Sequence, residues 1–182
     1  LATAATRIGD ESEAARALTE VVRLAPDDRR SAVALGGLRA RQQRWAEAEA
    51  AYRAAACAEN FAAVLPRLAD MVERQGRVWE AAVILDLHLG HAPDDARAAA
   101  RLGLLRQKLG DRAAATRAFE WALRVDPSHE GAALALAQLR AEGGDEAGAT
   151  ALLAALVQAK PQNLVARLRL VGIARDAAGR RR

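Results

Sequence analysis

Small and large apolar residues recur along the chain at fixed distances from four prolines. Twelve residues before Pro26, Pro93, Pro127 and Pro161 stands a small residue: Ala14, Ala81, Ala115 or Ala149. Eight before stands a large apolar one: Leu18, Leu85, Phe119 or Leu153. Further upstream of the same prolines, again at a constant distance, lie Leu-small pairs: Leu1-Ala2, Leu68-Ala69, Leu102-Gly103 and Leu136-Ala137. The last three prolines are evenly spaced and set the period, and the step from Pro26 to Pro93 is two such periods with one residue dropped. A unit without the proline keeps the pattern as Leu35-Gly36, Ala48 and Tyr52, and ends near Asn60. Fixed self-similarity on this scale marks a repeat architecture, in which each unit buries its apolar face only against its neighbours.

Each period predicts two short helices. Gly9-Asp10, Gly76, Gly110-Asp111 and Gly143-Gly144-Asp145 supply the turn between them, glycine ending the first helix and aspartate capping the second. The proline that follows closes the unit, because it cannot continue a helix. Alanine and glycine slots fall where paired helices cross, so their size sets the interaxial distance, and the large slots fill the space between hairpins.

Leu102-Gly103, Gly110-Asp111, Ala115, Phe119, Ala122 and Asp126-Pro127 resemble a tetratricopeptide repeat. The resemblance runs through the whole chain, 1–182, as one array: a partial unit at 1–28, units at 29–61, 62–95, 96–129 and 130–163, and a closing helix at 164–178. It implies an all-α fold, a right-handed superhelical solenoid of antiparallel hairpins, with the closing helix burying Leu164, Leu168 and Val171 as a cap. It also implies a function. In this family the first helices of the hairpins line a concave groove that holds a peptide or partner protein. The matching positions here are Arg30, Arg41, Arg67, Asp70, Glu73, Arg74, Arg97, Arg101, Leu104, Lys108, Gln138, Glu142, Arg169 and Arg175. Arg67, Arg74, Arg97, Arg101 and Lys108 would form a cationic floor for an acidic segment or a C-terminal carboxylate, since the arginine fork pairs with carboxylates in a bidentate way. Arg97 and Arg101 resemble the basic pair by which chaperone-binding members grip a terminal carboxylate. The asparagines of that clamp are replaced by Gly37 and Arg67, which argues against a chaperone adaptor.

Two departures concentrate in one unit. His88 occupies a slot held elsewhere by Val21, Ala55, Ala122 and Leu156, which predicts looser packing in the third hairpin. Pro66 falls a few residues into that hairpin's first helix, where proline fits only in the first turn. The helix therefore starts late, near Leu65, or kinks, and 60–66 is the most irregular stretch.

Composition supports thin helix-on-helix layers. About a quarter of the residues are alanine, the best helix former, and aromatics are 3%. The net charge of +4 raises the question of nucleic acid, but the basic residues are nearly all arginine, as in chains from GC-rich bacterial genomes. No aromatic-basic platform for single strands is present. Arg180, Arg181 and Arg182 form the only basic run and read as a solvated tail. No stretch reaches the roughly 20 apolar residues that span a bilayer. The chain begins at Leu1 without a signal-like segment and reads as part of a longer protein, so its compartment is open.

No side-chain constellation points to catalysis, a cofactor or a metal. His88 and His91 have ligand-like spacing, but Gly90 and Pro93 end the helix there and no third ligand is near. Asp27-Asp28 and Asp94-Asp95 recur at the same junction and read as helix-start residues. Cys57, the single cysteine, lies among alanines and reads as a small hydrophobe; Phe61 and Met71 read as packing residues. Trp45 opens a second helix where the family places an aromatic against its neighbour and reads as structural, and Trp79 begins the next unit's second helix in a similar place, shifted by one. Trp121 falls between the core slots Phe119 and Ala122 and faces outward, where it is the candidate interface anchor or lies flat over neighbouring arginine stems. The combined reading is a non-catalytic protein-interaction scaffold. The alternatives are the substrate-recruiting arm of a larger enzyme, such as an O-linked glycosyltransferase, or a component of a bacterial envelope or secretion complex.

Overall fold

The computed structural model describes residues 11–56 and 61–179, and the regular structure there is all helical. The expectations for Leu1, Ala2, Gly9, Asp10, Cys57, Asn60 and the terminal arginine run lie outside the described residues, as do the side chains of Phe61 and Arg175. The chain divides into two compact units, Leu1–Ala92 and Pro93–Arg182. The first holds α1 (Glu11–Leu24), α2 (Arg29–Arg41), α3 (Trp45–Ala56), a 3-10 turn at Phe61–Val64, α4 (Leu65–Arg74) and α5 (Val78–His91). The second holds α6 (Ala96–Lys108), α7 (Arg112–Val125), α8 (Glu130–Glu142), α9 (Glu146–Ala159) and α10 (Leu164–Gly179). Within each unit every helix packs on its predecessor and successor, and α6 also touches α8. This is the all-α stack of hairpins that the period predicts.

The helix boundaries follow from the polar residues at the junctions. Asp28, Asp95, Asp111 and Asp145 each accept a hydrogen bond from the backbone N–H three residues on, satisfying a donor that the helix itself leaves open. Asn163 does the same for α10, and His129 caps α8 through Nδ1. Between the helices of a hairpin, Gly76, Gly110 and Gly144 have φ of 82°, 79° and 86°. The same place in the second hairpin is taken by Gln43, at φ 58°.

The crossing points show why small and large residues alternate. A Cβ built on Gly103 would lie 2.5 Å from the Phe119 ring, and one on Gly36 would lie 2.7 Å from the Tyr52 ring. Each glycine is the space its aromatic partner fills. Ala69 with Leu85, and Ala137 with Leu153, hold the same places in the other hairpins, and all four are buried.

The irregular stretch resolves in favour of a late start. α4 begins at Leu65 with Pro66 in its first turn, preceded by the 3-10 turn. The His88 slot is filled. Its ring is buried, and Nδ1 lies 2.8 Å from the Ala62 carbonyl. A carbonyl only accepts, so Nδ1 carries the proton. The histidine thus ties α5 to the 3-10 turn that the preceding irregularity creates.

The expectation for the last helix is corrected. Leu164, Leu168 and Val171 are 68%, 71% and 56% exposed, and the residues packed against α8 and α9 are Ala166, Leu170 and Ile173. Ala166, Leu170 and Ile173 stand one period after Ala132, Leu136 and Leu139, three of the five buried positions of α8. The other two, Ala133 and Ala137, cluster with Ala149, Leu153 and Leu156 of α9, and among the described residues no helix holds that place beside Arg167 and Val171. α10 packs as a first helix of the repeat does, and its outward side remains apolar.

Sequence inspection missed a buried carboxylate. Glu49, on α3, is almost wholly buried and accepts from Arg77 and from Gln75 Nε2 (2.5 Å), and it pairs with Arg53. Arg77 and Arg53 also reach Glu80, at 2.5 and 2.7 Å. The hydrogen bond from Arg77, with the two arginine charges, holds the Glu80 carboxyl below its ordinary range.

Candidate functional site

In the second unit the exposed faces of the first helices repeat in register. Arg97, Leu104 and Lys108 are exposed on α6 and Arg101 is half-buried, a spacing that puts all four on one side of the helix. On α8 the positions one period after Leu104 and Lys108 are Gln138 and Glu142, and on α10 the position two periods after Arg101 is Arg169. All three are exposed. The open side of the unit is thus set by residues that the apolar pattern leaves unused.

Between α8, α9 and α10 lies an open cavity of about 470 Å³. Ala137, Ala141, Leu153, Gly172 and Ile173 form its apolar part, and Gln138, Glu142 and Arg169 its polar rim. The rim is a connected network. Arg112 donates to Glu142 (2.8 Å), Gln138 Nε2 donates to its other oxygen (2.9 Å), and Arg169 donates to the Leu134 carbonyl (3.1 Å) and to Gln138 Oε1 (3.4 Å). The amide of Gln138 and then the Arg112 guanidinium hold the Glu142 carboxyl below its usual range. On the lining itself Arg169 and Glu142 balance in charge, and Arg112, bonded to Glu142 from α7, adds one positive charge beside it. A volume of this size falls within the range of ordinary ligand clefts, roughly 300–1,000 Å³.

In the first unit Arg67 is exposed on α4, and Arg74 lies two turns further along the same helix. Arg74 pairs with Asp70 at 3.2 Å, and its guanidinium lies over the Trp45 ring, 4.7 Å from the centroid. Arg41 pairs with Glu11 at 2.7 Å. Much of the basic charge expected here therefore has a partner within the unit, and Trp45 is covered, in keeping with its structural reading.

Trp121 differs from its outward reading, and Trp79 follows its one-residue shift. Trp121 is half-buried, and its indole N–H donates to the Pro93 carbonyl at 2.9 Å. Trp79 is the outward one, at 65% exposed. The signal was its place: Trp79 stands two residues before the buried Ala81, where the other hairpins carry Ala46, Ala113 and Ala147, whereas Trp45 stands three before Ala48. That single-residue shift rotates the ring away from its neighbour helix. Val83 and Leu87 continue the exposed stripe along α5.

His88 is turned inward to Ala62, and His91 is exposed at the end of α5. Among the described residues, no group of three or more His, Cys, Asp or Glu side chains is placed to hold a metal ion. No described helix is long and apolar enough to cross a membrane.

Known proteins resemble the chain in fold and repeat. No curated protein shows significant sequence similarity to it. Among solved structures, MamA is similar over 87% of this chain and 93% of its own, at 17% identity and a TM-score of 0.79. YrrB, described as a TPR protein with an unusual peptide-binding site, is similar over 92% and 87%, at 16% identity and a TM-score of 0.75. PilF of Pseudomonas aeruginosa is similar over 98% and 82%, at 22% identity and a TM-score of 0.76. The family model of the tetratricopeptide repeat matches residues 1–63 and 100–163. With more than half of its length matched and its helices stacked as that repeat requires, the chain belongs to the tetratricopeptide repeat family.

Proposed function

We propose that this chain is a protein-interaction scaffold that takes a peptide along the exposed faces of its first helices, one array with units near 29–61, 62–95, 96–129 and 130–163. A general protein-binding role follows from the family. The observation that supports the finer reading is the row of Arg97, Arg101, Leu104 and Lys108 on α6 in the same unit as the open cavity with its polar rim. YrrB, a relative in fold, is described as having a peptide-binding site. The ligand this arrangement favours is an acidic segment or a C-terminal carboxylate. Arg67 and Arg74 offer the same charge in the first unit, Arg74 with part of it already met by Asp70.

The test is a labelled acidic peptide with a free C-terminal carboxylate, selected from a random pool on the wild-type chain. Binding is expected in the micromolar range, roughly −8 kcal/mol, and weakening with salt because the face is wide and wet. Changing Arg97 and Arg101 together to alanine should remove most of the binding while helical content is unchanged. Equal affinity in the double variant would remove the basic face of α6 from the site, and attention would pass to Trp79 and Trp121.

A further inference from the structure

We propose that Tyr52 and Arg67 form a subsite for a carboxylate group of a bound peptide, entered through the gap that Gly37 leaves on α2. The subsite rests on reading the first-helix faces as the peptide-bearing side. Tyr52, on α3, is 4% exposed, and its ring fills the space at Gly36. The hydroxyl extends past that glycine to the next one: a Cβ built on Gly37 would lie 3.8 Å from it and meet no other neighbour within 4 Å. Gly37 follows its Leu-small pair as Asp70, Leu104 and Gln138 follow theirs, so it stands on the open face. Those three units carry a side chain in this column, and the unit of Tyr52 does not. Among the described residues the Tyr52 hydroxyl has no hydrogen-bond partner. The only buried side-chain nitrogen or oxygen among them without one is Asn163 Nδ2, so the hydroxyl oxygen is open to the surface.

The chemistry of the occupant follows from the charges around that hydroxyl. Burial raises the phenol pKa above its ordinary value, Arg67 lowers it, Asp70 raises it and Arg41 lowers it, so all three charges lie within electrostatic reach. The phenol keeps its proton at neutral pH and is a hydrogen-bond donor. Arg41 pairs with Glu11, and Arg74 with Asp70. Arg67, exposed on α4, has no hydrogen bond or ion pair among the described residues. One O–H donor beside one unpaired guanidinium matches the two oxygens of a carboxylate, and hydrogen bonds to a charged acceptor are the stronger kind. A dianion such as a phosphate monoester would bring a second negative charge to the Asp70 carboxylate, which opposes it. The second unit has no such arrangement on α6 and α7: the matching ring is Phe119, which lacks a hydroxyl, and Leu104 holds the place of Gly37.

The probe is acetyl-Ala-Glu-Ala-amide, titrated into the 182-residue chain and followed by NMR. Tyr52 is the chain's single tyrosine, so an isotope label at tyrosine Cζ gives one signal beside the hydroxyl, and the Gly37 amide gives a second. Both are expected to shift saturably, with a Kd of about 1 mM. The glutamine analogue acetyl-Ala-Gln-Ala-amide should bind at least about tenfold more weakly. The free acid acetyl-Ala-Ala-Ala tests a terminal carboxylate; a response to either acid supports the subsite, and the tighter one names the source. Tyr52→Phe (read at Gly37), Arg67→Ala and Gly37→Leu should each weaken binding by about tenfold. None should lower the melting temperature, because Phe119 and Leu104 already hold the matching places and Arg67 is exposed. Changing Arg97 and Arg101 together to alanine should leave the response intact, so that failure of the α6 site and failure of this subsite are read separately. No saturable shift, equal binding of the glutamine analogue, binding untouched by Tyr52→Phe, or loss of the response in the Arg97 and Arg101 double variant overturns the proposal.

Discussion

Arg77 donates from a single guanidinium nitrogen to both carboxylate oxygens of the buried Glu49, at 2.9 Å each. Arg77 sits at the start of α5 in the place where Asp111 and Asp145 cap α7 and α9. The helix has lost its cap and gained a tie to α3. Removing Arg77 takes two charge-assisted hydrogen bonds from a buried carboxylate that then keeps Arg53 and Gln75. Arg77→Ala is therefore expected to lower stability by about 2 kcal/mol, read from urea midpoints. Changing Glu49 to leucine as well should recover much of that loss, because the carboxylate that needs a partner is gone.

The crossing of α6 and α7 predicts a size compensation. Gly103→Ala puts a methyl group into the Phe119 ring and should destabilise by about 1–3 kcal/mol through overpacking. Phe119→Leu in the same chain should restore most of the stability, because it recreates the Ala-with-Leu pairing of Ala137 and Leu153. A double variant no better than Gly103→Ala alone would show that the slot is set by something other than size.

The left-handed turn position predicts a gain. Gln43 holds φ 58° where the neighbouring hairpins use glycine. Left-handed backbone is strained for most side-chain-bearing residues. Gln43→Gly is expected to raise stability by about 0.5–1 kcal/mol, measured by thermal or urea unfolding. Gly110→Ala, at φ 79°, should lower it by a similar amount.

Acid should weaken the fold through carboxylates whose folded pKa is depressed. Glu80 is held down by its hydrogen bond from Arg77, and Glu142 by those from Gln138 and Arg112. Asp28 and Asp126 are held down by Ser31 and Ser128. A depressed folded pKa contributes stability that is present above the unfolded value, 4.5 for these glutamates, and is lost as the pH falls through the folded one. The urea midpoint should be level from about pH 7 to about pH 5 and decline below that. Replacing Glu80 and Glu142 with glutamine should flatten the decline.

The hairpins, their turns and their caps were legible because each depends on residues close in sequence and repeated in phase. Asp95, Asp111 and Asp145 could be assigned as caps from position alone, and Pro66 narrowed the start of α4 to a choice the structure then made. Glu49 was not legible: Gln75 and Arg77 reach it from the next repeat unit, and an isolated glutamate on a helix reads as solvated. Trp79 carries a one-residue shift that the sequence shows, whereas Trp121, expected to face outward, is half-buried with its indole N–H on the Pro93 carbonyl, a contact that spacing does not reveal. The last helix was misread because Val171 falls on the column of the buried Ala137, whose cover is α9, and among the described residues no helix follows α10 to cover it. The site was legible in part. The columns containing Gln138, Glu142 and Arg169 followed from the repeat, but the pairing of Arg74 with Asp70 and Trp45, and of Arg41 with Glu11, depends on side-chain reach that spacing does not reveal.

Because Gly36 is matched to Tyr52 and Gly103 to Phe119 inside single hairpins, the size matching of the chain is settled before any hairpin meets its neighbour. Duplication, deletion or exchange of a whole hairpin carries each matched pair along intact. A recombination joint placed inside a hairpin, at the turn near Gly110, would join a first helix chosen for phenylalanine to a second helix chosen for alanine. Related genes that changed length by such events should therefore carry their breakpoints at the prolines between units, with the turns left unbroken.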